Sequence, residues 1–315
     1  MTAPFLTLAA ELKAKDALDA GDFAALRNGA WTDGTIDPME AEAIFDLNSE
    51  LAVRDRDWVD FFVEAMSAYI VEQTAPRGFV DDAKAGWLIA RIDRDGRIDT
   101  LGELELLVNV LERATTVPES LKSYALAEIE AIALTGHGPT RDGGALDPGC
   151  INAAEARLLR RVLFAQAGDG PAYISRAEAE LLFRLKDTTI AAANAAEWRA
   201  LFVQGVANHL MAHNSYRPLG TSEAARLEAF MDDNRPHIGG FFQRMAAGGL
   251  SGFATLFGAK AAPGPDHDAQ VAADRAIAPD EAAWLKTKLA AHAESDPLEA
   301  ALLAFIAEES GQTLA

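Results

Sequence analysis

Ile36-Asp37-Pro38-Met39-Glu40-Ala41-Glu42-Ala43-Ile44-Phe45-Asp46-Leu47 and Ile174-Ser175-Arg176-Ala177-Glu178-Ala179-Glu180-Leu181-Leu182-Phe183-Arg184-Leu185 align without a gap at an offset of 138. Each opens on an isoleucine, continues with a side chain able to cap a helix (Asp37, Ser175), and places a glutamate three residues later (Glu40, Glu178). That spacing is a capping box: the first side chain accepts a backbone N–H, and the glutamate reaches back to the first residue's own N–H. Ala43, Ile44, Leu47 and Leu51 follow at helical spacing, as do Leu104, Leu107, Val108 and Leu111 further on. Strict period-two alternation over a strand length is almost absent. The expected fold is all-α, an internally duplicated bundle of helix–loop–helix units.

The repeat extends outward from this pair. Trp58–Met66 matches Trp198–Val206 at an offset of 140. Gly78 and Val80–Lys84 match Gly220 and Ser222–Arg226 at 142. Ile98, Leu106, Val110, Ala114, Pro118 and Ala125 match Ile277, Leu285, Leu289, Ala293, Pro297 and Ala304 at 179. The jump from 142 to 179 implies an insertion of 37 residues in the second copy. The expected organisation is an N-terminal helical segment (1–30), a first module (31–134), a connecting loop and helix (135–167) and a second module (168–315). A Gly/Phe-rich insertion falls at about 234–270 of the second module. Its phenylalanines, Phe241, Phe242, Phe253 and Phe257, sit on a glycine-rich backbone with little intrinsic order, which suits partner binding.

The chain has 315 residues, half of them hydrophobic, enough for a sizeable core. A formal charge of −20 offers no basic stripe for phosphates, which argues against nucleic acid and anionic membrane surfaces. The single cysteine, Cys150, reads as a small buried hydrophobe and makes no internal disulfide. No charged and apolar leader is evident at the start, and no run of about 18 apolar residues spans a bilayer. The expectation is a cytoplasmic protein, bacterial in style.

Five places share one local pattern, an isoleucine followed by a helix-opening glutamate: Ile36/Glu40, Ile98/Glu103, Ile151/Glu155, Ile174/Glu178 and Ile277/Glu281. Gly34, Gly96 and Gly149 precede the first three isoleucines by two. The pattern resembles the second half of an EF-hand loop, with its turn glycine, its apolar residue that pairs with a sister loop, and its bidentate glutamate. The closest match is Arg91–Glu103. By that resemblance Asp93, Asp95 and Asp99 take the family's third, fifth and ninth positions, with Glu103 one residue past the twelfth. Arg91 stands at the first position, where the family has aspartate. In the earlier loop Asp33, Asp37 and Glu40 take positions five, nine and twelve, while Gly29 and Trp31 fill one and three. The resemblance implies calcium as a ligand of these carboxylates. Capping boxes at Asp37-Pro38-Met39-Glu40, Asn152-Ala153-Ala154-Glu155 and Ser175-Arg176-Ala177-Glu178 explain the same residues without metal.

His209 and His213 lie one helical turn apart, with no intervening glutamate and no evident third ligand; helix-face packing is the plainer reading. Trp58 and Trp198 read as core anchors. No phosphate loop, dinucleotide fingerprint, nucleophile elbow or HExxH is present. The expected function is a non-enzymatic binding or scaffold protein that works through a helix groove on a protein partner. The alternatives are a calcium-responsive regulator, and a helical enzyme whose site gathers distant residues.

Overall fold

Six of the helices begin where a short polar side chain takes up free N–H groups of the first turn. Asp37 accepts from the backbones of Met39 and Glu40 at 2.8 and 3.0 Å, with Pro38 at the first helical position. Thr100, Asn152 and Ser175 do the same for Glu103, Glu155 and Glu178, and each glutamate returns a bond to the cap's N–H. Ala278 has no side chain for this, so only the return bond from its N–H to Glu281 remains, at 3.2 Å. All five isoleucines of the pattern are buried.

The computed structural model describes residues 2–15, 17–30, 34–93, 98–141, 149–165, 173–211, 277–290 and 296–310. Among them the first half of the chain forms α1 (Thr2–Leu12), α2 (Ala20–Ala30), α3 (Pro38–Glu50), α4 (Arg56–Ser67), α5 (Asp82–Ile92) and α6 (Leu101–Arg113). The second half forms α7 (Glu119–Thr135), α8 (Ala153–Leu163), α9 (Arg176–Thr189), α10 (Ala196–Met211), α11 (Pro279–Leu289) and α12 (Pro297–Ser310). A π-helical turn, Ala68–Gln73, continues α4. The fold is all-α: among the described residues the β-structure is a single bridge, Phe79 to Thr116. α7 stops at Gly136, whose φ of 71° is the left-handed conformation that glycine reaches without strain.

The helices pack in two matching sets. α1 packs on α2 and α3, α2 on α4, α3 on α4, and α4 on α6; α7 packs on α8 and α9, α8 on α10, α9 on α10, and α10 on α12. The side chains at these crossings match as well. Phe45 meets Phe62 edge-on at 5.2 Å, and Phe183 meets Phe202 edge-on at 5.3 Å. Trp87 donates to Glu42 Oε1 at 3.0 Å, and Arg91 pairs with the same carboxylate. Trp284 donates to Glu180 Oε1 at 2.6 Å, and Lys288 pairs with that one. Tyr69 abuts Trp87 at 5.5 Å as His209 abuts Trp284 at 5.1 Å. Lys13 faces Asp46, and Glu130 faces Arg184 with the charges exchanged.

These contacts depart from the 179 register. They set α5 opposite α11, with Trp87 and Trp284 at an offset of 197, and α6 opposite α12. The apolar spacing of α6 and α11 is similar enough to align by sequence, but polar partners distinguish helices that hydrophobic periodicity cannot. One contiguous hydrophobic core runs from Phe5 to Ile306 and includes Trp58 and Trp198, each 1% exposed.

Candidate functional site

The glutamates of the EF-like pattern are engaged in the fold. Glu103 is buried; its Oε2 takes the Thr100 N–H at 3.0 Å and its Oε1 takes the Asn48 amide at 3.1 Å. Asn48 Oδ1 in turn accepts the indole N–H of Trp58 at 2.9 Å. Burial holds the Glu103 carboxyl above its ordinary pKa, against the hydrogen bonds from Thr100. The matching position in the second half substitutes a cation for the amide. Lys186, fully buried, reaches Glu299 at 2.5 Å and Asp296 at 3.0 Å. Burial works against its charge, but the bonds to Glu299, Asp187 and Asp296 outweigh it and hold its pKa above the ordinary value. Asp296-Pro297-Leu298-Glu299 has the spacing of Asp37-Pro38-Met39-Glu40. It escapes the sequence pattern because Ser295, not isoleucine, precedes it.

Glu178 pairs with Lys122 at 2.6 Å, both ends buried, and Glu155 accepts from Thr140 at 3.2 Å. The isoleucine N–H groups go to side chains of other segments: Ile36 to Gln73 at 2.7 Å, Ile98 to Glu128, Ile151 to Asn194 at 2.8 Å, Ile174 to Asn208 at 3.0 Å. Asp93 closes the end of α5; its Oδ1 is shut off from solvent and meets no donor. Asp99 is exposed, one residue ahead of the Thr100 cap. Burial raises the pKa of Glu128, and that of Tyr124, in the same corner. Asp33 and Asp95 lie outside the described residues, as do Phe241, Phe242, Phe253, Phe257 and His213. Among the described residues no group of three or more acidic, histidine or cysteine side chains stands where it could hold one ion.

His209 is 3% exposed. Its Nδ1 lies 2.9 Å from the Ile174 carbonyl oxygen, which makes that nitrogen the donor, and its Nε2 has no partner. Burial lowers its pKa. Cys150 is half-buried.

Charged side chains also gather around an open volume elsewhere in the fold. A groove of about 410 Å3 runs between α4, α6 and α8. Val59 and Val63 line it together with Arg56, Asp60 and Glu64 of α4, Glu105, Asn109 and Arg113 of α6, and Arg161 of α8. Arg161 clamps Glu112 with two nitrogens at 2.8 Å and Glu105 with a third at 2.7 Å, which raises its pKa. Arg56 holds Asp60 at 3.0 Å, Arg27 holds Glu64, and Arg113 holds Glu72. Asn109 Oδ1 is cut off from water and has no donor. A second hollow of about 370 Å3, between α2 and α4, is lined by Phe23, Arg27 and Asp57 and shares Asp60 with the first.

Sequence reading passed over this groove because its lining comes from three helices as far apart as Arg56 and Arg161. One signal was present: at an offset of 140, Arg56, Asp60 and Glu64 face Ala196, Ala200 and Gln204. In the register set by Glu103 and Glu299, Glu105 and Asn109 face Ala301 and Phe305. At these positions the two halves of the chain carry different side chains. No protein-family model, curated protein or solved structure matches the chain.

Proposed function

We propose that the chain is a tandem of two six-helix units, α1–α6 and α7–α12, that acts as a non-catalytic protein-interaction module. Its working surface is the groove between α4, α6 and α8. The observation that carries this reading is the contrast across matched positions. The second half carries Ala196, Ala200, Gln204, Ala301 and Phe305 at the matching places, the first three of them exposed, and still packs α10 on α12, so that architecture does not demand Arg56, Asp60, Glu64, Glu105 and Asn109 in the first. Charges that a fold does not need, gathered around an open volume, suit recognition of another molecule. The EF-like loops are read as helix caps in the same proposal, since the glutamate that would be bidentate to a cation is spent on Thr100 and Asn48.

A five-site variant carrying R56A, D60A, E64Q, E105A and N109F gives the groove the second half's side chains. Its helix content and melting temperature are expected to stay near the wild type's, while partners that cross-link to the wild type are lost. Retention of the same partners by the swapped groove would defeat the reading.

The competing reading is calcium, favoured by the unpartnered Asp93 Oδ1 alone, since Asp93, Glu128 and Glu103 do not gather where they could hold one ion. A site filled to a thousand times its dissociation constant would stabilise the fold by about 4 kcal/mol. The cap reading expects no calcium-dependent rise in melting temperature; a rise abolished by Asp93→Ala would establish the calcium reading instead.

A further inference from the structure

We infer that the groove between α4, α6 and α8 receives a lysine- or arginine-bearing segment of a partner protein. This rests on the interaction reading above and names the chemistry of the partner.

The acceptors of the groove are the first argument. Asp60 spends Oδ1 on Arg56, Glu64 spends Oε2 on Arg27, and Glu105 spends Oε2 on Arg161, so each carboxylate has its other oxygen left for a donor. Asn109 Oδ1 has no donor at all although water cannot reach it. A buried acceptor without a partner is costly, and a rotation of the amide about its terminal torsion lets an incoming N–H meet it. An ammonium carries three such donors and a guanidinium five, whereas an acidic segment carries only its backbone N–H groups.

Charge balance points the same way. The lining arginines Arg56, Arg113 and Arg161 face Asp60, Glu64 and Glu105, and with the outside partners Arg27, Glu72 and Glu112 included the carboxylates outnumber the arginines by one. Arg56 stands at the rim, its side chain 74% exposed, where it can swing away from Asp60. Asp57, on the hollow that shares Asp60, adds another carboxylate. The whole chain carries −20, so its long-range field attracts cations and repels an anionic segment before either arrives. Val59 and Val63 offer an apolar floor for the methylene stem of a long basic side chain.

The test uses fluorescein-labelled penta-lysine, penta-glutamate and penta-serine with the full chain, read by anisotropy. Penta-lysine is expected to bind, to weaken about tenfold with Asn109→Leu, a change that leaves the charge untouched, and to weaken in about 0.5 M salt. Glu64→Gln should weaken it as well, while the remote pair Asp82→Asn and Glu197→Gln should leave it unchanged. Circular dichroism and melting establish that each variant is folded. Penta-lysine binding that ignores both Asn109→Leu and Glu64→Gln overturns the inference, as does tighter binding of penta-glutamate. If the five-site groove swap still loses its cross-linked partners in that event, the interaction reading stands and only the basic partner is wrong. If the swap keeps them, both fail.

Discussion

Trp58 and Trp198 are equally buried, yet their indole N–H groups meet different fates. Trp58 donates to Asn48, whereas Trp198 Nε1 is sealed away without an acceptor. At the offset of 138 Lys186 stands where the first half has Asn48, and a lysine has only donors to offer. Trp58→Phe therefore breaks a bond and orphans Asn48 Oδ1, while Trp198→Phe removes a group that was already unpaired. We expect the first to destabilise the fold by about 1–3 kcal/mol more than the second in urea unfolding; equal costs would mean that the Asn48 contact contributes nothing. His209 supplies a pH dependence. Burial lowers its pKa in the folded state, so the unfolded chain takes the proton first. The stability tied to its neutral form is complete above the unfolded value near 6.5 and is lost as pH falls below it. Arg176, stacked over Trp284, opposes the charge, and Glu281 and Glu178 favour it. The slope between about pH 7 and 5.5 should approach 1.4 kcal/mol per pH unit at most and should flatten in His209→Gln. A His209→Gln variant with the wild-type slope would assign the dependence to other groups.

Helix starts were legible in the sequence because their chemistry is local. Asp37 and Glu40, or Ser175 and Glu178, are three residues apart, and a capping box needs nothing beyond that spacing. The partners that the same glutamates find elsewhere were not legible. Lys122 lies 56 residues before Glu178, and Lys186 lies 113 before Glu299, so only the folded chain brings them together. For the same reason the groove, built from α4, α6 and α8, left no contiguous motif. The Lys122–Glu178 pair joins α7 to the start of α9. Lys122→Met leaves a buried carboxylate uncompensated and should cost about 3–5 kcal/mol, read from the denaturant midpoint. Lys122→Met with Glu178→Gln keeps the cap and removes the stranded charge, so most of that loss should return. A double variant as unstable as the single one would show that the pair matters through shape rather than charge.

One core joins both halves, and among the described residues Arg161 of α8 bridges to Glu105 and Glu112 of α6 across them, while within the second half Lys122 and Glu130 of α7 pair with Glu178 and Arg184 of α9. A shared core implies one unfolding transition, with calorimetric and van't Hoff enthalpies equal. Two resolved transitions would mean that the six-helix units melt separately. Lys186 has a further consequence. Its amine is enclosed by Asp296 and Glu299 with no exposed surface, so an acylating reagent in water has no path to it while α9 and α12 stay together. The rate at which it becomes labelled is therefore a clock for the separation of those two helices, set against exposed amines such as Lys15 that react at once.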